Sequence, residues 1–221
     1  MNSSPTTNVE EVKIKLAGAD MTVTPGKIKG ALHAIPIPLW QAIVGFHRQI
    51  SIKYKAESMS YHRWYEKDKC YHSLIPYQET SYGSLAVKTD WTDERNITLL
   101  NEYAKEYKEE FFPACTIHTH VDIGAFESGT DAADEEFQPG WHITLGELLS
   151  HQMIDVSLRI RLPKLKKISS LVNVNNAYEI EINNLFDPSV NKDELFALSG
   201  TTDWHDKLDR VEITKKLWAS K

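Results

Sequence analysis

Two stretches of the chain place apolar residues at the spacing of a helix that buries one face. The first begins at Ile37 and runs to about Lys55, with Pro38 at a position that suits the first helical turn. The second covers residues 92–111. We therefore expect two main helices. Their apolar positions are Leu39, Trp40, Ile43, Val44, Phe46 and Ile50 in the first, and Ile97, Leu100, Tyr103, Tyr107 and Phe111 in the second.

Alternating or continuous apolar runs predict strands before, between and after these helices. Residues 58–65 alternate, residues 66–69 read as a turn and residues 70–75 as a return strand, which together predict a hairpin. Residues 111–117 predict a buried strand. The remaining predicted strands are 12–16 and 21–24 as a small hairpin, part of 78–88, and 141–145, 154–162 and 178–182. This mixture of elements predicts an α/β fold.

The two ends of the chain differ from its centre. Residues 1–10 are polar and are expected to form a disordered tail. Residues 11–186 have the length of one domain. Residues 187–221 predict a helical extension packed on that domain through Trp204 and Trp218. The basic residues 164–167 are expected in a loop or a protected edge strand.

Composition limits the kind of partner. The 221 residues carry a formal net charge of −6 without a basic block, which argues against binding to nucleic acid. No apolar run is long enough to span a bilayer, and the N-terminus lacks a signal-peptide pattern. We therefore expect a cytoplasmic protein that does not bind membranes.

The most informative residues follow the predicted strand 111–117. His118 and His120 are two apart, so both point to one side of an extended strand. Ser128 and Asp131 follow after a loop, giving the spacing H-x-H-x7-S-x2-D. Zinc binds imidazole nitrogens and carboxylate oxygens, and a catalytic zinc keeps one position open for water. With His118, His120 and Asp131 as ligands, this spacing predicts a catalytic Zn²⁺ site.

Each of these residues has a simpler interpretation when taken alone. A single histidine is more often a surface or hydrogen-bonded core residue than a ligand. Ser128-x-x-Asp131 alone is a pattern for the start of a helix, and Ser128 can cap a helix and also serve the reaction. The joint spacing favours the metal site. For the other histidines we expect structural roles: His62, His72, His142, His151 and His205.

This constellation resembles the JAMM motif of the MPN family of zinc metalloproteases, in its bacterial or phage form, over about residues 35–185. The resemblance implies that His118, His120 and Asp131 bind zinc and that Ser128 hydrogen-bonds the tetrahedral intermediate. It also implies an MPN (cytidine-deaminase-like) core: a mixed, curved β-sheet flanked by two main helices, with zinc at the end of a central strand. The family commonly has proline at the position of Val121, and that proline does not bind the zinc ion.

The family also requires a glutamate that activates water, at the start of a strand after the first long helix. Glu57 occupies that place, 61 residues before His118. Glu66 and Glu79 are the rivals, but Glu66 falls in a predicted turn and Glu79 beyond the predicted hairpin. Glu57 would take a proton from water and pass it to the leaving amine.

The resemblance implies an isopeptidase or peptidase that cuts after the C-terminal glycine of a ubiquitin-like protein. Expected partners are that protein or its conjugate and the E1-like and E2-like proteins of the same operon, and a role in antiphage defence is consistent with this. Two alternatives stay open: a processing peptidase for a sulfur-carrier, phage or plasmid protein, and a non-catalytic MPN scaffold. The loops at residues 77–93 and 132–138 are expected to select the substrate.

Overall fold

A computed structural model describes residues 11–25, 27–81, 87–149, 153–163, 179–183, 185–186, 189, 191 and 204–214. These residues form a mixed α/β structure. The helices are α1 (Ile37–Tyr54), α2 (Glu94–Tyr107) and α3 (Gly129–Glu135), with a 3-10 helix at His205–Arg210. The strands are β1 (Val12–Leu16), β2 (Ala19–Thr24), β3 (Lys27–Ala31), β4 (Met59–Tyr65), β5 (Cys70–Leu74), β6 (Gln78–Thr80), β7 (Val87–Thr89), β8 (Cys115–Thr119), β9 (Gly140–Gly146), β10 (Asp155–Arg161), β11 (Glu179–Asn183) and β12 (Val211–Ile213).

A mixed five-stranded sheet carries the candidate site, in the order β10-β9-β8-β4-β5. The central strand β8 is parallel to β9 and antiparallel to β4. The strands β4 and β5 form the predicted hairpin, and β10 pairs antiparallel with β9. The histidine pair therefore lies at the end of a central strand of a mixed sheet.

The two main helices pack on opposite faces of this sheet. Thr116 and Ile117 are neighbours on β8, so their side chains point to opposite faces. Ile117 lies in a core cluster with Trp40 of α1. Tyr61, which pairs with Thr116, lies in a different cluster with Tyr103 of α2. Burial of apolar side chains on both faces is the main favourable contribution to folding in this layer.

The helix α1 brings the chain directly to the site. Pro38 lies in its first turn, as predicted, where its missing N–H leaves no hydrogen bond unmade. The helix ends at Lys55, whose left-handed backbone (φ 50°) lets its N–H donate to the carbonyl of Ser51. Only four residues, 55–58, lie between α1 and β4. Glu57 is therefore held between two well-packed elements.

The second helix and the strand after it are both shorter than predicted. The helix α2 starts after Asp93, whose carboxylate accepts a hydrogen bond from the N–H of Arg95, and ends at Lys108 in a left-handed conformation. The strand β8 begins at Cys115 and not at Phe111, because Pro113 has no N–H to donate to a neighbouring strand. Phe111 packs instead in the cluster that contains α2.

Two smaller sheets flank this core, in the orders β1-β2-β3-β11 and β12-β6-β7. The strands β1 and β2 form the predicted hairpin, whereas β3 was not predicted. Within the predicted helical C-terminal extension, His205–Arg210 form the 3-10 helix, whereas Val211–Ile213 form the strand β12 and not a helix. The strand β12 pairs parallel with β6, and its Val211 is buried against Phe46 and Ile75, so pairing and burial decide its conformation. Trp204 packs against the core, as expected.

Several expectations fall outside the described residues. These are the tail at residues 1–10, the basic residues 164–167, Trp218, and the rest of 187–221 apart from 189, 191 and 204–214. Within the described residues, no helix combines the length and the apolar character that crossing a membrane requires.

Candidate metal centre

The histidine pair lies where β8 ends. His118 is the fourth residue of β8 and lies 3% exposed beside Thr144 of β9, whose hydroxyl is 3.3 Å from His118 Nε2. His120 follows the strand, but its N–H still donates to the carbonyl of Leu145 (2.8 Å), so its backbone continues the ladder. Val121 then adopts a positive φ of 56° and turns the chain away. Both imidazoles consequently face the same side of the sheet.

Asp131 reaches this pair from α3. Ser128 begins that helix with a capping box: its hydroxyl accepts from the N–H of Asp131 (3.1 Å), and Asp131 Oδ2 accepts from the N–H of Ser128 (2.8 Å). These two bonds satisfy backbone donors that a helix start leaves unpaired. They also fix the carboxylate against the histidines.

The three side chains converge on one point. Asp131 Oδ1 lies 3.2 Å from His118 Nε2, and Asp131 Oδ2 lies 3.5 Å from His120 Nε2. One ligand atom from each residue lies within 4.8 Å of the other two, so this buried group could hold a metal ion. Burial by itself would raise the pKa of Asp131, but hydrogen bonds with both histidines outweigh that effect and lower the pKa well below its ordinary value.

The donor set fits a divalent cation that accepts nitrogen and oxygen ligands. Two imidazoles and one carboxylate form a common arrangement around a catalytic metal, and they leave further positions open on the cavity side. Asp131 is held in its charged form, which is the form that binds a cation. His120 Nδ1 is buried without a partner in the described part of the chain, so His120 is oriented by its backbone, by the contact of its Nε2 with Asp131 and by a T-shaped contact with Phe126, 4.7 Å away between ring centroids.

Glu57 shares a cavity with this group. The cavity has a volume of about 180 Å³, and its polar lining includes Glu57, His118, His120, Ser128 and Asp131. Glu57 is only 5% exposed. Burial, and then the nearby charge of Asp131, raise the pKa of Glu57 from 4.5 to about 8. A carboxyl group with such a pKa can accept and return a proton near neutral pH.

The rival glutamates lie elsewhere. Glu66 follows the far end of β4, is exposed, and accepts hydrogen bonds from the indole of Trp64 and from Lys69. Glu79 is exposed on β6. Neither of them lines the cavity that contains the histidines. Of the three candidates, only Glu57 is brought to the metal group.

The hydroxyl group of Ser128 can donate one hydrogen bond in addition to the one that its oxygen accepts. Its oxygen accepts from Asp131 N–H as the helix cap, but a hydroxyl also carries one hydrogen that it can donate. The same side chain lines the 180 Å³ cavity. The capping interpretation and the catalytic interpretation of Ser128 are therefore compatible.

The sequence did not predict the ion pair that holds α3 beside this site. Glu135, at the end of α3, is buried and accepts a hydrogen bond from Arg159 of β10 (Nε to Oε2, 3.0 Å), while Arg161 lies 3.2 Å from the same carboxylate. This ion pair holds α3 against the edge of the sheet. Glu135 and Arg159 are 24 positions apart in the sequence, and no local pattern predicts their contact.

The buried side chain of Gln78 extends the sheet beside Glu57. Its amide oxygen accepts from the N–H of Met59 (2.7 Å), and its amide nitrogen donates to the carbonyl of Met59 (2.9 Å). The pairing of β4 with β5 stops at Tyr61 and Leu74, so the side-chain amide replaces the missing neighbour strand. This residue also escaped sequence analysis.

Parts of both loops expected to select a substrate meet beside the metal group. A cavity of about 300 Å³ lies on the His118 side. Its lining from the two loops comprises Val87, Lys88, Thr89, Trp91, Asp134, Glu135 and Gln138. Residues 82–86 of the first loop lie outside the described residues.

Comparison of the chain with protein-family models and with curated proteins gave no match.

Proposed function

We propose that this protein is a zinc-dependent peptidase or isopeptidase of the JAMM type, with an MPN core, that hydrolyses the bond after the C-terminal glycine of a ubiquitin-like protein. One observation carries the proposal: a buried glutamate, a serine hydroxyl and a three-ligand metal group line a single cavity. A structural metal site needs neither the glutamate nor the hydroxyl.

His118, His120 and Asp131 would hold the zinc ion. When bound, zinc supplies a Lewis acid that lowers the pKa of water to about 7 and polarises the substrate carbonyl. Glu57 accepts the proton of the attacking water and returns it to the departing amine. Ser128 donates its hydroxyl hydrogen to the carbonyl oxygen as negative charge develops there, which favours the transition state over the bound substrate.

The size of the cavity supports a glycine next to the cleaved bond. A volume of about 180 Å³ is smaller than that of the usual ligand pocket, roughly 300–1,000 Å³. Its apolar lining includes Met59, Val87 and Phe126. A backbone without a side chain fits such a passage better than a large residue.

The test combines metal content with cleavage. Purified wild type and the His118→Ala/His120→Ala variant are analysed for metals, and both are assayed on ubiquitin and on a short Gly-Gly peptide, each carrying a C-terminal fluorogenic amide. We expect about one zinc per wild-type chain and cleavage of a probe, with both lost in the variant. Wild type that binds no zinc after incubation with it would refute the proposal and leave the scaffold alternative.

A further inference from the structure

A chain of buried hydrogen bonds runs behind the metal group from α1 to β5. His47 Nδ1 lies 2.7 Å from the hydroxyl of Ser58, and His47 Nε2 lies 3.0 Å from that of Ser60. The Ser60 hydroxyl lies 2.9 Å from His62 Nε2, and His62 Nδ1 lies 2.9 Å from the Ser73 hydroxyl. The side chains of His47, Ser58, Ser60 and His62 are almost fully buried. Such a polar chain inside a core has to be fully paired to be tolerated.

The protons in this chain can all be ordered in one direction. Burial lowers the pKa of His47 well below its ordinary value and that of His62 to about 3, so both rings are neutral at neutral pH. A neutral imidazole has one donor and one acceptor nitrogen, and a hydroxyl can donate once. If Ser58 donates to His47, then His47 donates to Ser60, Ser60 to His62, and His62 to Ser73. Every ring nitrogen is then satisfied, and the reverse order satisfies them equally.

The end of this chain at Ser58 touches the catalytic segment. Ser58 directly follows Glu57, and its N–H donates to the hydroxyl of Thr119 (3.2 Å). Thr119 stands between His118 and His120 on the metal-binding strand. Ser58 is therefore tied to α1 by its side chain and to the metal strand by its backbone.

We propose that His47 is a positioning residue that holds Glu57 over the metal group by fixing Ser58. This inference rests on the proposed function, because the proposed function is what gives Glu57 a catalytic role. It does not make His47 a catalytic residue, since no part of its ring lines the cavity.

The position of Glu57 needs such restraint for a physical reason. Glu57 is only 5% exposed, and a buried carboxyl group gains contact with water, and so free energy, by turning outward. Only four residues, 55–58, connect α1 to β4, and a shift of this segment moves the carboxylate directly. The bonds from His47 and Thr119 to Ser58 oppose that movement.

Two serine variants separate positioning from general stability. Ser58→Ala and Ser73→Ala each remove one hydroxyl and leave one ring nitrogen of a buried histidine without its partner. If His47 positions Glu57, Ser58→Ala lowers kcat about 10- to 100-fold, the loss that a displacement of about 1 Å can produce. We expect KM and zinc content to stay unchanged in Ser58→Ala, and kcat of Ser73→Ala to stay within about twofold of wild type. Equal kcat losses in the two variants would overturn the proposal.

His47 itself is tested by two substitutions that keep different halves of the ring. The amide of asparagine reaches the place of Nδ1 and can bond Ser58, whereas that of glutamine reaches the place of Nε2 and can bond Ser60. We expect His47→Asn to retain more kcat than His47→Gln at equal thermal stability. A higher kcat in His47→Gln than in His47→Asn would show that the bond to Ser58 does not hold Glu57 in place.

Amide hydrogen exchange provides a readout that does not depend on activity. In the zinc-loaded protein, Ser58→Ala should speed exchange at residues 57–59, whereas Ser73→Ala should not. If wild type cleaves neither probe, the proposed function fails, and exchange still decides whether the chain restrains this segment. Unchanged exchange in Ser58→Ala contradicts the positioning role even when cleavage is observed.

Discussion

Replacing Glu57 by glutamine should make the metal-free protein more stable while it abolishes cleavage. The two side chains have almost the same shape, but glutamine carries no charge that burial can disfavour. Burial raises the pKa of Glu57 from 4.5 to about 8. At pH 7 the unfolded chain releases this proton and the folded chain keeps it, which destabilises the fold by roughly 3 kcal/mol relative to low pH.

The sign of the pH dependence follows from the raised pKa. Because the folded state binds the proton more tightly, the contribution of Glu57 is most favourable below pH 4.5 and is lost as the pH rises through 8. The buried amide of the variant has a desolvation penalty of its own, so we expect a net gain of about 2–3 kcal/mol at pH 7.5. For a chain of this length that corresponds to an increase in Tm of about 4–12 °C.

Thermal unfolding in the presence of a chelator, from pH 4.5 to 8.5, measures this difference. Glu79→Gln is the matched control, because Glu79 is exposed on β6 and should change Tm little. The reasoning is refuted if Glu57→Gln and wild type unfold at the same temperature at pH 7.5. It is also refuted if the advantage of the variant is as large at pH 4.5 as at pH 7.5.

Three further perturbations address the rest of the site. Ser128→Asp should keep the helix cap and thermal stability but lower kcat about 100-fold or more. Ser128→Ala should lower kcat as well and should also lose about 1 kcal/mol of stability. Steady-state kinetics measure kcat, and thermal unfolding measures the stability. Arg159→Met should destabilise the protein by about 2 kcal/mol or more in chemical denaturation, and adding Glu135→Leu should recover part of the loss, because the single change leaves a buried charge short of a partner. Added Zn²⁺ should raise the Tm of chelator-treated wild type and leave that of His118→Ala unchanged, because an ion that binds only the folded state stabilises it by mass action.

The sequence predicted those parts of the molecule that depend on local periodicity. Alternation over residues 58–65 identified β4, and the helical spacing of apolar residues identified α1. His118 and His120 are two residues apart, and this spacing is enough to put both side chains on one side of a strand. The capping pattern from Ser128 to Asp131 predicted the start of α3. The arrangement of the metal group was accessible because its pieces are local in sequence, whereas Glu57, 61 residues before His118, was chosen through the family resemblance.

Features that depend on distant partners could not be predicted. The strand β12 looked like part of a helical tail, because nothing near it in sequence indicates that it pairs with β6. The bonds from His47 to Ser58 and Ser60 join a helix to a strand. His47 reads in the sequence as one more helical residue, and only the packing of α1 against β4 gives it these partners.

The capping box of α3 has a consequence for how the site assembles. A helix of seven residues is too short to persist by itself in water, so the helix depends on its cap and on its contacts. The carboxylate that closes this cap is also the third ligand of the metal group. If the group holds a metal ion, that ion and the first turn of α3 stabilise each other: loss of the ion weakens the turn, and unwinding the turn removes both a ligand and the serine hydroxyl. The concentration of free metal ion would then set how often a complete site exists.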